Sequence, residues 1–188
     1  KLLGLKVKTI LTDGSQPIGN GIGPILEARD VIKVLSQSSD RPLDLENKSL
    51  KLSGIILEMT GKAKLGKGYE KAKDILKSEL ALKKFKEIIK AQGGDSSNPL
   101  GRLKPAKLSF EARASKNGKI KSIDNKLIAS IAISAGCPAD KAAGLFLHVH
   151  VGNKVEKGSK LLTLYAETKE KLDFAKQAYE KLKPILTS

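Results

Sequence analysis

Residues 12–30 read TDGSQPIGNGIGPILEARD, and this stretch decides the fold that we predict for the first half of the chain. The apolar and β-branched residues at 5–12 predict a buried strand, which Asp13 and Gly14 end in a sharp turn. Three glycines at 19–23 predict a tight loop, and the proline that follows favours the first turn of a helix. A strand, a glycine loop and a helix in this order are typical of an α/β domain.

The rest of the chain divides into two regions. Residues 95–107 are dense in Ser, Asn, Pro and Gly, which predicts a linker between domains at 1–94 and 108–188. Before the linker, the apolar spacing predicts a helix that Asn47 caps and one or two lysine-rich helices at 69–91. We therefore predict an α/β region followed by an α+β region, with right-handed crossovers wherever parallel strands occur.

The α+β prediction for the second region depends on short apolar and alternating runs. Runs with a period of two residues, or with continuous apolar character, predict strands, and longer amphipathic runs predict helices. The predicted strands are 108–114, 119–123, 144–151 and 160–166, and the predicted helices are 125–135 and 169–182.

The composition excludes several classes of protein. Hydrophobic residues make up 40% of the 188 residues and charged residues 29%, which is typical of a globular protein, and no apolar run reaches the roughly 18 residues of a membrane span. The single cysteine, Cys137, excludes an internal disulfide and a zinc module. We expect a cytoplasmic protein. We also expect a part of a longer chain, because the sequence begins with Lys1 and its one methionine is Met59.

The chain carries a net charge of +15, most of it from lysine. Recognition of nucleic acid favours arginine and stacked aromatic side chains, and the chain has four arginines and 4% aromatic residues. Solvated lysine faces on helices are therefore our preferred interpretation, with a cationic nucleic-acid-binding module as the alternative. Abundant lysine and glutamate with one cysteine and one methionine are also typical of proteins from thermophiles.

The glycine loop at 19–23 is a candidate ligand site. It lacks the G-x-G-x-x-G pattern and the G-K-[ST] ending of nucleotide-binding loops, so a structural turn is favoured over a phosphate site. A tight loop can also direct carbonyl oxygens at a hard cation while a helix supplies a carboxylate. Glu27 and Asp30 lie three residues apart on one face of the following helix, and Asp30 is the candidate carboxylate. From the sequence alone, a solvated helix face is the favoured interpretation of both.

Two histidines and the cysteine are the other candidates. His148 and His150 lie two residues apart in the predicted strand at 144–151, which places both side chains on one face with Phe146. Two histidines without a third ligand favour a structural role over a zinc site. Cys137 lies between a glycine and a proline without a predicted base nearby, which favours an inert small hydrophobe over a nucleophile.

Residues 12–30 resemble the long signature of the thymidine and pyrimidine-nucleoside phosphorylases. The opening Thr-Asp-Gly-Ser-Gln-Pro and the closing Glu-Ala-Arg-Asp are most similar to the archaeal branch of that family, the AMP phosphorylases. Stretches similar to later family blocks lie at 53–58, 91–94, 123–125, 148–152 and 157–158. The resemblance therefore extends over essentially the whole chain.

The resemblance implies a phosphorylase, which is a pentosyltransferase. Phosphate attacks the anomeric carbon of a nucleotide or nucleoside, so that AMP and phosphate give adenine and ribose 1,5-bisphosphate. Thymidine or another pyrimidine nucleoside is the alternative substrate. The resemblance also implies a homo-oligomer. It assigns residues 1–94 to the end of a phosphate-binding α/β domain and residues 108–188 to a smaller C-terminal α+β domain.

The resemblance carries no catalytic residue onto this chain. The family's phosphate loop, base-contacting residues and proton donor precede the Thr-Asp-Gly-Ser-Gln-Pro block, so we expect the chain to be inactive alone. A potassium site is implied in part. The backbone carbonyls of Ile18 and Gly21 and the carboxylate of Asp30 match three ligands of some bacterial relatives, in which a glutamate takes the place of Asp30. The remaining potassium ligands belong to the phosphate loop.

Overall fold

The computed structural model describes Gly4 and residues 7–188. The chain forms two compact units. The first contains Val34–Ser97 together with the described residues before Gly14, and the second contains Gly14–Lys33 and Asn98–Ser188. No helix of the described residues is long and apolar enough to cross a membrane.

Three helices make up most of the first unit. They are α2 (Leu43–Met59), α3 (Gly68–Lys77) and α4 (Leu80–Ala91), and α1 (Pro24–Leu35) precedes them in the chain. The small core of this unit contains Val34, Leu50, Ala72 and Leu76. The backbones of α2 and α3 approach closely because both residues at the crossing are glycines: a Cβ on Gly68 would lie 2.0 Å from the carbonyl oxygen of Gly54.

The structure confirms two lysine-rich helices at 69–91 and corrects the start of the helix before them. Residue Asn47 lies inside α2, where its Oδ1 accepts a hydrogen bond from the Tyr69 hydroxyl, 3.3 Å away. The helix begins at Leu43, five residues before the start that an Asn47 cap predicts, because the carboxylates of Asp44 and Glu46 favour its first turn. Arg41 pairs with Glu46, and this hydrogen bond lowers the pKa of the Glu46 carboxyl.

The predicted buried strand at 5–12 is wrong where the structure describes it. Leu5 and Lys6 lie outside the described residues, and residues 7–12 form no strand, with the side chains of Val7 and Leu11 80% and 98% exposed. A strand needs a partner for its backbone hydrogen bonds, and the apolar pattern cannot show whether one exists. Residues 34–94 form helices and turns without a strand, which agrees with the helices predicted there.

Two antiparallel sheets form the second unit. Their strands are β1 (Gly21–Ile22), β2 (Leu108–Arg113), β3 (Gly118–Ile123), β4 (Gly144–Leu147), β5 (Lys154–Val155), β6 (Lys160–Ala166) and β7 (Ile185–Thr187). The first sheet has the order β1-β4-β6-β2, and the second has the order β5-β3-β7. Every described strand pair is antiparallel, so the expectation of right-handed crossovers between parallel strands applies to none of them.

The helices of the second unit begin at polar side chains that cap them. The carboxylate of Asp124 accepts hydrogen bonds from the N–H groups of two residues in the first turn of α6 (Asn125–Ser134). The Thr168 hydroxyl caps α7 (Lys169–Leu182) in the same way, and a short helix, α5, covers Pro99–Arg102. The core includes the fully buried side chains of Ile120, Ile131, Leu145, Leu162 and Leu164. This mixture of helices and antiparallel sheets confirms the α+β prediction for the second region.

β4 is shorter than the strand predicted at 144–151. After Leu147 the chain turns, because the backbone N–H of His150 donates to Oδ1 of Asn153 (2.8 Å) and its carbonyl accepts from the Asn153 N–H (3.0 Å). The side chain of an asparagine commonly closes a turn in this way.

The glycine loop packs in the second unit, although the sequence grouped it with residues 1–94. β1 pairs with β4, so that Gly21 lies opposite Phe146. The loop is also tied at its start, where the Asn125 amide donates to the carbonyl of Gly14 (2.7 Å). The sequence distance between the paired strands exceeds 100 residues, and a local pattern does not reveal such a contact.

Candidate functional site at the glycine loop

The glycines of the loop are required by close backbone contacts. A Cβ on Gly21 would lie 2.5 Å from the carbonyl oxygen of Leu26 in α1. A Cβ on Gly23 would lie 2.5 Å from the carbonyl oxygen of Ala143, and Gly23 also has a φ of +122°, which side-chain-bearing residues rarely adopt. The loop is therefore held tightly between α1 and β4.

Asp30 is the central polar group of this site. Asp30 is only 2% exposed, and its Oδ2 accepts two hydrogen bonds, from the backbone N–H groups of Asn20 and Gly21, each at 2.7 Å. Its Oδ1 is buried and has no hydrogen-bond partner among the residues that the structure describes. The favoured interpretation of Asp30 as part of a solvated helix face is therefore wrong. The loop folds back over this face of α1, and the spacing within the helix cannot show that.

Glu27 lies on the rim of the site. It is exposed, and its Oε1 accepts a hydrogen bond from the backbone N–H of Gly23 at 3.0 Å. This contact satisfies one of the N–H groups at the start of α1, and a negative charge there interacts favourably with the helix dipole. Of the two predicted carboxylates, Asp30 is the one buried against the loop.

The two histidines have different partners, and β4 ends before both of them. His148 Nε2 lies 2.8 Å from the buried Thr163 hydroxyl, and its ring meets that of Phe146 edge-on with 5.1 Å between centroids. Partial desolvation, followed by the charge of Lys160, lowers the pKa of His148. His150 Nε2 lies 2.9 Å from Oδ1 of Asn20, and its Nδ1 is buried without a hydrogen-bond partner in the described part of the chain.

Neither the histidines nor the cysteine form a metal cluster. Residues 7–188 contain no group of three or more His, Cys, Asp or Glu side chains placed to hold a metal ion. Burial, and secondarily the charge of Glu27, raises the pKa of the Cys137 thiol. A raised pKa lowers the fraction of reactive thiolate at neutral pH, which agrees with the inert role that the sequence favours.

Comparison with known proteins shows what the chain is similar to. Residues 119–185 match the pyrimidine nucleoside phosphorylase C-terminal domain. The chain is 48% identical over 173 residues to a Legionella pneumophila (strain Corby) protein named "Putative thymidine phosphorylase". This match covers 92% of the chain and 32% of that protein. The chain matches a C-terminal part of proteins of the pyrimidine-nucleoside phosphorylase family.

Relatives named AMP phosphorylase match slightly longer stretches of the chain. The chain is 42% identical over 183 residues to the AMP phosphorylase of Methanococcus aeolicus, covering 95% of the chain and 36% of the relative. It is 45% identical over 184 residues to AMP phosphorylase 2 of Archaeoglobus fulgidus, with the same coverage. The chain thus spans about a third of the length of these relatives. The Legionella match also shows that the similarity is not confined to an archaeal branch.

The structure brings some of the resemblance-derived site residues together. Gly21 contacts Asp30, although through its N–H group, and the Ile18 side chain is 37% exposed at the start of the loop. Asn20 was not predicted as a site residue, although its backbone and its side chain both take part in the site. Its one signal was an asparagine between two glycines, which is equally typical of a plain turn.

Proposed function

We propose that the protein containing this chain is an AMP phosphorylase. Phosphate attacks the anomeric carbon of AMP, the new C–O bond forms as the bond to adenine breaks, and the leaving adenine takes up a proton. The products are adenine and ribose 1,5-bisphosphate. The observation that carries the proposal is the similarity to AMP phosphorylases over 95% of the chain, together with the signature at 12–30.

Phosphorolysis of thymidine or another pyrimidine nucleoside is the second candidate. It is supported by the 48% identity to the Legionella protein named as a thymidine phosphorylase. Both candidates share the attack of phosphate on an anomeric carbon and differ in the base and in the 5′ phosphate of the substrate. The parts of the sugar and base that distinguish them would be bound by residues of the family that precede this chain.

We assign this chain a supporting role in that reaction and no catalytic residue. Its proposed ligand is a potassium ion, held by the carbonyls of Ile18 and Gly21 and by Asp30, as the resemblance implies. The buried Oδ1 of Asp30 fits this assignment, since an unpaired carboxylate oxygen in a desolvated site is a hard ligand for a cation. A bound potassium ion would fix the glycine loop relative to the family's phosphate loop.

The wider assignments belong to the same proposal. We propose that residues 1–94 are the end of the phosphate-binding domain, that 95–107 link it to the C-terminal domain at 108–188, and that the protein is a cytoplasmic homo-oligomer. A cationic nucleic-acid-binding module is disfavoured by the family match at 119–185.

Phosphorolysis assays test the proposal directly. The protein encoded by the complete gene is incubated with phosphate and either AMP, uridine or thymidine, and the released base is resolved chromatographically. We expect adenine from AMP, and no base from the 188-residue chain alone. Thymine or uracil release without adenine would replace AMP with a nucleoside as the substrate, and release from none of the three would reject a phosphorylase function.

A further inference from the structure

Asn20 is the junction between the glycine loop and the chain segment that follows β4. Its backbone N–H donates to Asp30 Oδ2 (2.7 Å), its carbonyl accepts from the Leu147 N–H (2.7 Å), and its side-chain Oδ1 is bonded to His150 Nε2 (2.9 Å). β1 is only two residues long, so it contributes little to fixing the loop. The position of the loop therefore depends strongly on these hydrogen bonds.

His150 provides a rigid anchor for the Asn20 side chain. Because an amide oxygen only accepts hydrogen bonds, this contact requires the proton on Nε2 of His150. The His150 backbone is itself held in the turn by two hydrogen bonds with Asn153. The ring is thus oriented from one side by its backbone and from the other by Asn20.

We infer that His150 is a positioning residue for the Asp30 site. It holds the Asn20 side chain, and Asn20 in turn keeps two loop N–H groups on Oδ2 of Asp30. With Oδ2 occupied by these N–H groups, Oδ1 of Asp30 is left to coordinate a monovalent cation such as potassium. The inference rests on the proposed potassium site for its functional consequence, while the positioning itself concerns only residues of this chain.

His148 offers a matched control two residues away. It also makes one side-chain hydrogen bond through Nε2, but its partner is Thr163 in β6 rather than a residue of the loop. If the loss of a histidine side chain near the end of β4 disturbed the loop by itself, substitution of either His148 or His150 would change the loop. A positioning role predicts an effect at the loop from His150 alone.

Amide hydrogen exchange, measured by NMR on the 188-residue chain, tests the positioning role. In His150→Ala we expect the amides of Asn20 and Gly21 to exchange about fivefold faster, as removal of one stabilising hydrogen bond implies. His150→Gln keeps an N–H donor at similar reach and should restore most of the protection. His148→Ala should leave these two amides unchanged. Equal exchange in the His150→Ala variant and the wild type would overturn the inference.

A double-mutant cycle keeps the test decisive if His150→Ala lowers overall stability. Asn20→Ala removes the other partner of the same hydrogen bond, so the two substitutions together should speed exchange of the Gly21 amide no more than either one does. Additive effects of the two substitutions would show that His150 and Asn20 act independently, which contradicts the inference.

A potassium titration separates this inference from the proposed function. In the protein encoded by the complete gene, whose phosphate loop supplies the remaining ligands, potassium chloride replaces tetramethylammonium chloride at constant ionic strength, and the shift of the Gly21 amide reports binding. We expect about tenfold weaker potassium binding in His150→Ala, with recovery in His150→Gln, because supporting residues of metal ligands typically change affinity by at least that factor. Absence of binding to the wild type rejects the potassium site, while the exchange data still decide the role of His150. Equal affinity in both proteins overturns the positioning role.

Discussion

Replacing Asp30 with alanine tests the central feature of the site. The substitution removes a carboxylate that accepts hydrogen bonds from Asn20 and Gly21, both at 2.7 Å, in a position that is 2% exposed. Alanine cannot accept these bonds, and the Gly21 N–H is buried where water does not easily replace the lost acceptor. We therefore expect the second unit to be less stable in Asp30→Ala.

The size of the effect follows from two opposing terms. Each hydrogen bond to a charged group contributes about 1.5–3 kcal/mol, so losing both removes roughly 3–6 kcal/mol. Relief from burying a charge whose Oδ1 has no partner returns part of that free energy. We expect a net loss of about 2–4 kcal/mol in the free energy of unfolding. Asp30→Asn keeps one acceptor oxygen and should lose about half as much.

Urea unfolding followed at the amide signals of β6 measures this loss within the second unit. Glu27→Ala is the control on the same helix. Its carboxylate is exposed and makes one hydrogen bond at 3.0 Å, so we expect a loss below about 1 kcal/mol. The reasoning is refuted if Asp30→Ala unfolds within about 0.5 kcal/mol of the wild type, or if both variants lose the same stability.

Three further outcomes follow from the structure. Gly144→Ala should lower the free energy of unfolding in urea by about 2–4 kcal/mol, because the new Cβ would lie 2.1 Å from the Ile22 carbonyl oxygen and the residue has a φ of +143°. Gly14→Ala is the control and should leave the stability unchanged, because the space around Gly14 is open. The pKa of His148 is lowered in the folded chain, so the unfolded chain takes up the His148 proton first as the pH falls through 6.5. The free energy of unfolding should therefore decrease slightly as the pH is lowered from 7 to 5, and His148→Gln should make this decrease smaller. Because burial raises the pKa of the Cys137 thiol, iodoacetamide should modify it several-fold more slowly in the folded chain than in urea at pH 7.5, and equal rates would contradict this.

Much of the second unit could be predicted from local sequence. The strand predicted at 160–166 and the helix predicted at 169–182 match β6 and α7 to the residue. Both contain strong local signals: a nearly continuous apolar run in β6, and a threonine cap followed by an amphipathic pattern in α7. In such segments the local preference and the tertiary environment favour the same structure.

The first part of the chain shows where local patterns are insufficient. Residues 7–12 have the composition of a strand, but the described part of the chain gives them no strand to pair with. The burial of Asp30 was missed for a related reason. Helical spacing identifies the face that carries Asp30, while the backbone that covers this face comes from a loop ten residues earlier and is held there by β4. Both features depend on contacts between distant residues, which periodicity does not encode.

The arrangement of hydrogen bonds assigns a role to the C-terminal domain in shaping the signature loop. Residues 119–185, which match that domain of the family, provide β4, the Leu147 N–H, the His150 side chain and the Val151 N–H, which donates to Gln16 Oε1 at 2.8 Å. The loop alone would not hold its N–H groups on Asp30, because its glycines are conformationally free and its only strand is two residues long. A buried carboxylate with one unpaired oxygen persists only when surrounding contacts stabilise it. The C-terminal domain supplies those contacts, and its sequence therefore contributes to the cation site that we propose at Asp30.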